Sequence, residues 1–64
     1  MPKYCIIVTN VSNHSARPPL HVGASQVEYC DAPSPETVNE MVKKSISRTD
    51  NPADYSWTIT EQPA

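Results

Sequence analysis

The stretch Tyr4-Cys5-Ile6-Ile7-Val8-Thr9-Asn10-Val11 decides how this chain folds. It is rich in β-branched and aromatic residues, which suit a pleated, half-buried surface. Successive side chains of a strand point to opposite faces. Both phases are apolar here: Tyr4, Ile6 and Val8 in one, Cys5, Ile7 and Val11 in the other. A strand that is apolar on both sides belongs in the middle of a sheet. The remaining elements are placed around it.

Residues 12–19 are polar and end in Pro18-Pro19, which cannot lie inside a sheet, so they read as a loop. Residues 20–30 read as a second strand with a fault. Leu20, Val22 and Ala24 alternate in one phase and Val27 and Tyr29 in the other, with the only glycine, Gly23, near the change. A bulge or break is expected there. Ser34-Pro35-Glu36 is a helix start: a side chain that can cap free amides, a proline suited to the first helical position, and a carboxylate at the positive end of the dipole. Val38, Met41, Val42 and Ile46 then fall on one helical stripe. Lys43, Lys44 and Arg48 gather toward the end, where cations meet the negative dipole. Thr49-Asp50-Asn51-Pro52 stops the helix. Residues 55–60 form the cleanest strand, with Tyr55, Trp57 and Ile59 on one side and Ser56, Thr58 and Thr60 on the other.

The predicted fold is a single α+β domain over residues 1–64, with element order ββαβ. A three-stranded antiparallel sheet in the order 2-1-3 carries one helix on one face. Matching apolar faces pairs Ile6 with Tyr29 and Val8 with Val27. That register places Tyr4, Ile6, Val8, Val27, Tyr29, Tyr55, Trp57 and Ile59 under the helix. A slip of one residue would invert a whole face. The outer face would then hold Cys5, Ile7, Thr9, Gln26, Glu28, Cys30, Ser56, Thr58 and Thr60, with Cys5 opposite Cys30. Two cysteines do not make a secreted-type disulfide framework, so both are expected as thiols.

Sixty-four residues bury little interior, because so short a chain hides only about 60 % of the surface it exposes when unfolded. A large substrate pocket and a dinucleotide cofactor are therefore not expected. Five basic against seven acidic residues give a formal net charge of −2, which lacks the basic excess of a dedicated nucleic-acid binder. The first apolar run, Cys5 to Val8, is too short for a signal peptide or a membrane span, so a cytoplasmic setting is expected. A metal site would have to use Cys5, His14, His21 and Cys30, spaced Cys-x8-His-x6-His-x8-Cys, without the tight pair that structural zinc sites use. One glycine excludes a glycine-rich phosphate loop. Neither cysteine is expected beside a helix N-terminus or a histidine that would activate it. No catalytic residue, metal or cofactor is assigned, and the protein is expected not to be an enzyme.

Pro2, once Met1 is removed, would carry a secondary amine at the head of a strand. In length and in that proline the chain is similar to tautomerases of the 4-oxalocrotonate type, a resemblance that would imply a role for Pro2 as a base. It departs from them in the second strand before the helix and in having Ser12-Asn13 and Trp57-Thr58 where that family expects arginines. In size and pattern the whole chain resembles small phage-encoded inhibitors of the anti-CRISPR and host-polymerase-inhibitor type. The opening Tyr4-Cys5-Ile6-Ile7-Val8-Thr9-Asn10, the single amphipathic helix and the aromatic last strand carry that resemblance. It implies a protein that occupies a surface on a host protein or protein complex, inside the host cell. The contact residues expected are Ile7, Glu28 and Thr58 on the outer sheet face, Arg17 in the loop, and Lys43, Lys44 and Arg48 at the helix end. A homodimer through Ile7 or an open sheet edge is compatible with this reading. Direct nucleic-acid binding and membrane insertion are not expected.

Overall fold

The computed structural model describes residues 1–63. Its sheet has the order β2-β1-β3, with β1 (Lys3–Asn10) between β2 (Ser25–Asp31) and β3 (Tyr55–Glu61). Both neighbours run antiparallel to β1. One helix, α1 (Pro35–Ser47), follows β2, and a single 3-10 turn at Pro52–Asp54 leads into β3. This is the expected α+β domain with the expected strand order.

The helix begins as its residues dictate. The Ser34 hydroxyl accepts from the Thr37 N–H at 3.3 Å, Pro35 opens the first turn and Glu36 sits beside the positive dipole end. At the other end Lys44 lies in the last turn and Arg48 caps it. Val38 and Val42 are buried and Ile46 packs against the core. Met41, expected in the same stripe, is about half exposed and marks the edge of the helix's footprint on the sheet.

The core gathers Tyr4, Ile6, Val8, Ala32, Val38, Val42 and Tyr55, with Leu20, Ile46, Trp57 and Ile59 packed against it. The β3 register puts Ile59 opposite Ile6 and Trp57 opposite Val8, as the apolar faces require. The β2 register differs from the expected one by one residue. Ile6 faces Glu28 rather than Tyr29, and Val8 faces Gln26 rather than Val27. Val27 and Tyr29 consequently leave the core face and stand in solvent.

Two physical causes combine. A helix is about 10 Å across and strands are about 4.8 Å apart, so one helix shades roughly two strands. Here those are β1 and β3, where the Trp57 indole N–H donates to the Asn39 side-chain oxygen at 2.8 Å. Turning Val27 and Tyr29 inward would gain little burial, and the connecting turn decides instead. The Gly23 N–H donates to the Asn10 carbonyl at 2.8 Å, and the Asn10 N–H donates to the Ala24 carbonyl at 3.0 Å. Gly23 has φ +88°, a conformation that L side chains rarely adopt. Residues 20–24 are therefore turn rather than strand, and Leu20 fills the core at the end of the helix.

Asn10 is the polar centre of this connection and is fully buried. Its Nδ2 donates to the carbonyls of Asn13 and Leu20 at 3.0 and 2.9 Å, and its Oδ1 accepts from the Asn13 N–H at 2.8 Å. The loop that follows is tied down as well. The Asn13 Nδ2 donates to an Asp50 carboxylate oxygen at 2.9 Å and to the Tyr55 hydroxyl at 3.0 Å, while the Ser12 hydroxyl donates to Asp54 at 2.8 Å. Buried polar groups that are paired in this way specify one arrangement.

Candidate docking surfaces

The register of β2 remakes the outer sheet face. Three cross-strand rows lie side by side on it: Tyr29, Cys5 and Thr60; Val27, Ile7 and Thr58; Ser25, Thr9 and Ser56. Ile7 is 40 %, Val27 53 % and Tyr29 61 % exposed. The Thr9 and Ser25 hydroxyls bond to each other at 2.8 Å. The only charged strand residues on this face are Lys3 and Asp31, which are cross-strand partners of opposite sign at one end. A more ordinary antiparallel sheet would alternate apolar inside with polar outside.

Of the residues expected to make contacts, Ile7 and Thr58 are direct cross-strand partners on this face. Glu28 is not among them. With the register shifted it lies on the helix side of β2, together with Gln26 and Cys30. Cys5 and Cys30 point to opposite faces and are both free, so the expected juxtaposition of the two thiols does not form. Val27 and Tyr29 are the surface residues that sequence reasoning missed. The phase break at Gly23 was the available signal, because a glycine-centred turn can reset the phase of the strand it feeds.

Lys43 and Lys44 stand on the exposed flank of α1, along a shallow depression of about 430 Å³. Every residue lining it comes from the helix itself, so it has a floor and no opposing wall. Arg48 is exposed at the helix C-cap. Arg17 is exposed in the loop, where its carbonyl accepts from Leu20 in a turn. The loop and the helix C-terminus share one end of the molecule, joined by the Asn13–Asp50 bond. Ile7 and Thr58 belong to the broad sheet face instead.

A second surface lies between α1 and β2, where the helix no longer covers the sheet. Two depressions, about 240 Å³ and about 180 Å³, share Glu28, Val42 and Ser45. Ile6 and Val8 contribute from β1, and Leu20 and Ile46 close one end. Glu28 and Asp50 are the charged residues that line them, with no lysine or arginine. Both Asp50 oxygens are engaged, one by Asn13 and the other by the Thr49 hydroxyl at 3.0 Å.

Tyr4 is buried beside this region, and its hydroxyl donates to the Glu61 carboxylate at 3.4 Å. Burial raises its pKa above the usual tyrosine value, and the nearby Glu61 charge adds to the shift. Pro2 is exposed at the head of β1, and its carbonyl accepts from the Ala32 N–H at 3.1 Å. Among the described residues no three His, Cys, Asp or Glu side chains gather as a metal-binding group, and no helix is long and apolar enough to cross a membrane. No family model matches the chain, and neither the curated proteins nor the solved structures contain a match to it.

Proposed function

We propose that this protein is a small non-enzymatic binding module that docks on a larger protein or nucleoprotein complex through the outer face of its sheet. The observation that carries this reading is the uncharged patch of Ile7, Val27 and Tyr29, three apolar side chains in neighbouring positions that the fold leaves in solvent. Contiguous exposed apolar surface of this kind marks interaction sites. Three strands of seven or eight residues make a face of roughly 400 Å², about half of the ~800 Å² per partner of a standard interface, so the contact extends past its rim. Aromatic side chains dominate binding hot spots, which makes Tyr29 the leading anchor. The narrower reading is a phage or mobile-element inhibitor of a host machine such as a CRISPR effector or an RNA polymerase. Its support is the resemblance in size and pattern together with this surface.

The test is affinity capture from host lysate with wild-type protein and with the Ile7→Lys and Tyr29→Lys variants, each first shown to be folded by circular dichroism. A stoichiometric partner that the wild type retains and both variants lose is the expected result. An identical set of captured proteins for all three chains, or no partner for any, rejects docking through this face.

A further inference from the structure

The open edge of β2 lies beside the groove under α1, and the two together have the form of a strand-addition site. β2 pairs with β1 along its whole length and, among the described residues, has no neighbour on its other side. Six of its seven residues are exposed. An edge strand presents unpaired N–H and C=O groups in a row, which a further extended segment can complete. The other edge differs, because Trp57 and its bond to Asn39 fasten β3 to the helix. Alternate side chains of a segment added at β2 would point to the helix side, where the groove lies. Ile6, Val8, Val42 and Ile46 give the groove its apolar surface, Gln26, Ser45 and Thr49 add neutral polar groups, and Glu28 is the carboxylate common to both depressions. Asp50 adds negative charge at one end, and no lysine or arginine lines the groove.

We propose that the β2 edge and this groove bind an extended peptide segment of a partner protein that places a lysine or arginine against Glu28 and an apolar side chain, two residues away, in the groove. Main-chain pairing with β2 supplies affinity, and the alternate side chains supply selectivity. The intervening residues of the segment fall on the outer side, next to Val27 and Tyr29, where β-branched or aromatic side chains fit. The inference rests on the binding-module reading and gives that module a second contact of defined chemistry.

The experiment is selection of a random seven-residue peptide library on the full chain, followed by affinity measurement for the recovered peptides by fluorescence polarisation. The expected peptides share a basic residue and an apolar residue two positions apart. Glu28→Gln should weaken them several-fold and Glu28→Lys at least tenfold. Exchanging the peptide's basic residue for glutamate should restore binding to the Glu28→Lys chain. Failure to recover any binding peptide overturns the proposal, as do peptides indifferent to both Glu28 variants. A stable dimer that excludes the peptides also overturns it, because a second copy would then hold the edge. Peptide selection needs no lysate partner, so rejection of the outer-face reading and rejection of this one are separate results.

Discussion

β2 and β3 have the same length and the same partner, and they differ in almost everything else. Each is a seven-residue edge strand hydrogen-bonded along β1. β3 buries Tyr55, half-buries Trp57 and Ile59, and is fastened to the helix through Trp57 and to the loop through Tyr55. β2 half-buries Cys30 and exposes the other six residues. β3 is held by its side chains as well as by its backbone. β2 is held mainly by its ladder with β1 and by the turn that delivers it. The contrast shows that apolar side chains do not ensure burial, since Val27 and Tyr29 lie beyond the reach of the single helix.

The largest expected effect comes from removing the side chain at the polar centre of the connection between β1 and β2. Asn10→Ala leaves the Leu20 carbonyl and the Asn13 N–H without their partner, removes one of the two donors to the Asn13 carbonyl, and should cost about 3 kcal/mol. For a chain of this size that is a large part of total stability. A fall in the urea midpoint of matching size is the measurement, and an unchanged midpoint would show that the backbone turn holds the connection without the Asn10 side chain.

Paired substitutions on the two edges sharpen the comparison. Trp57→Thr should cost about 2 kcal/mol through lost packing and the lost bond to Asn39, whereas Tyr29→Thr should stay within about 0.5 kcal/mol. Equal losses in thermal denaturation would break the distinction. Gly23→Ala should cost about 1 kcal/mol through backbone conformation alone, because a Cβ there meets no atom within 4 Å. Gly23→Asn should cost less, since asparagine tolerates positive φ better.

The smallest effect is confined to alkaline solution. The folded chain holds the Tyr4 proton more tightly than the unfolded chain does. The stability this confers is fully present below the unfolded value of about 10 and is lost as the pH rises through the raised folded value. Denaturation curves between neutral pH and pH 11 should show that loss in the wild type and a reduced one in Tyr4→Phe.

Much of this architecture was legible in the residues. β1 stood out as central because both its phases are apolar. The helix was legible from Ser34-Pro35-Glu36 and the stripe of Val38, Met41, Val42 and Ile46, although Met41 ends up exposed, and β3 was legible from its strict alternation. The face of β2 was not legible. Apolar matching assumes that a core awaits every apolar residue, and the helix is too narrow to supply one over β2. Asn10 lies in the same phase as Tyr4, Ile6 and Val8, so its burial was implied by the alternation, but the partners that make that burial tolerable sit in the folded loop. The outer patch and the groove follow from the same register, so neither could be drawn correctly before it was known.

The placement of the two cysteines gives the molecule a built-in reporter. Cys5 is half-buried among the outer-face rows, and Cys30 is half-buried where β2 borders the groove. A small thiol-alkylating reagent, followed by mass spectrometry, reads each side of the sheet separately. Slowed labelling at Cys5 alone would locate a bound partner on the outer face, slowed labelling at Cys30 alone would locate it in the groove, and slowed labelling at both would mean that it wraps the β2 edge. The natural sequence can thus be footprinted without introducing a single substitution.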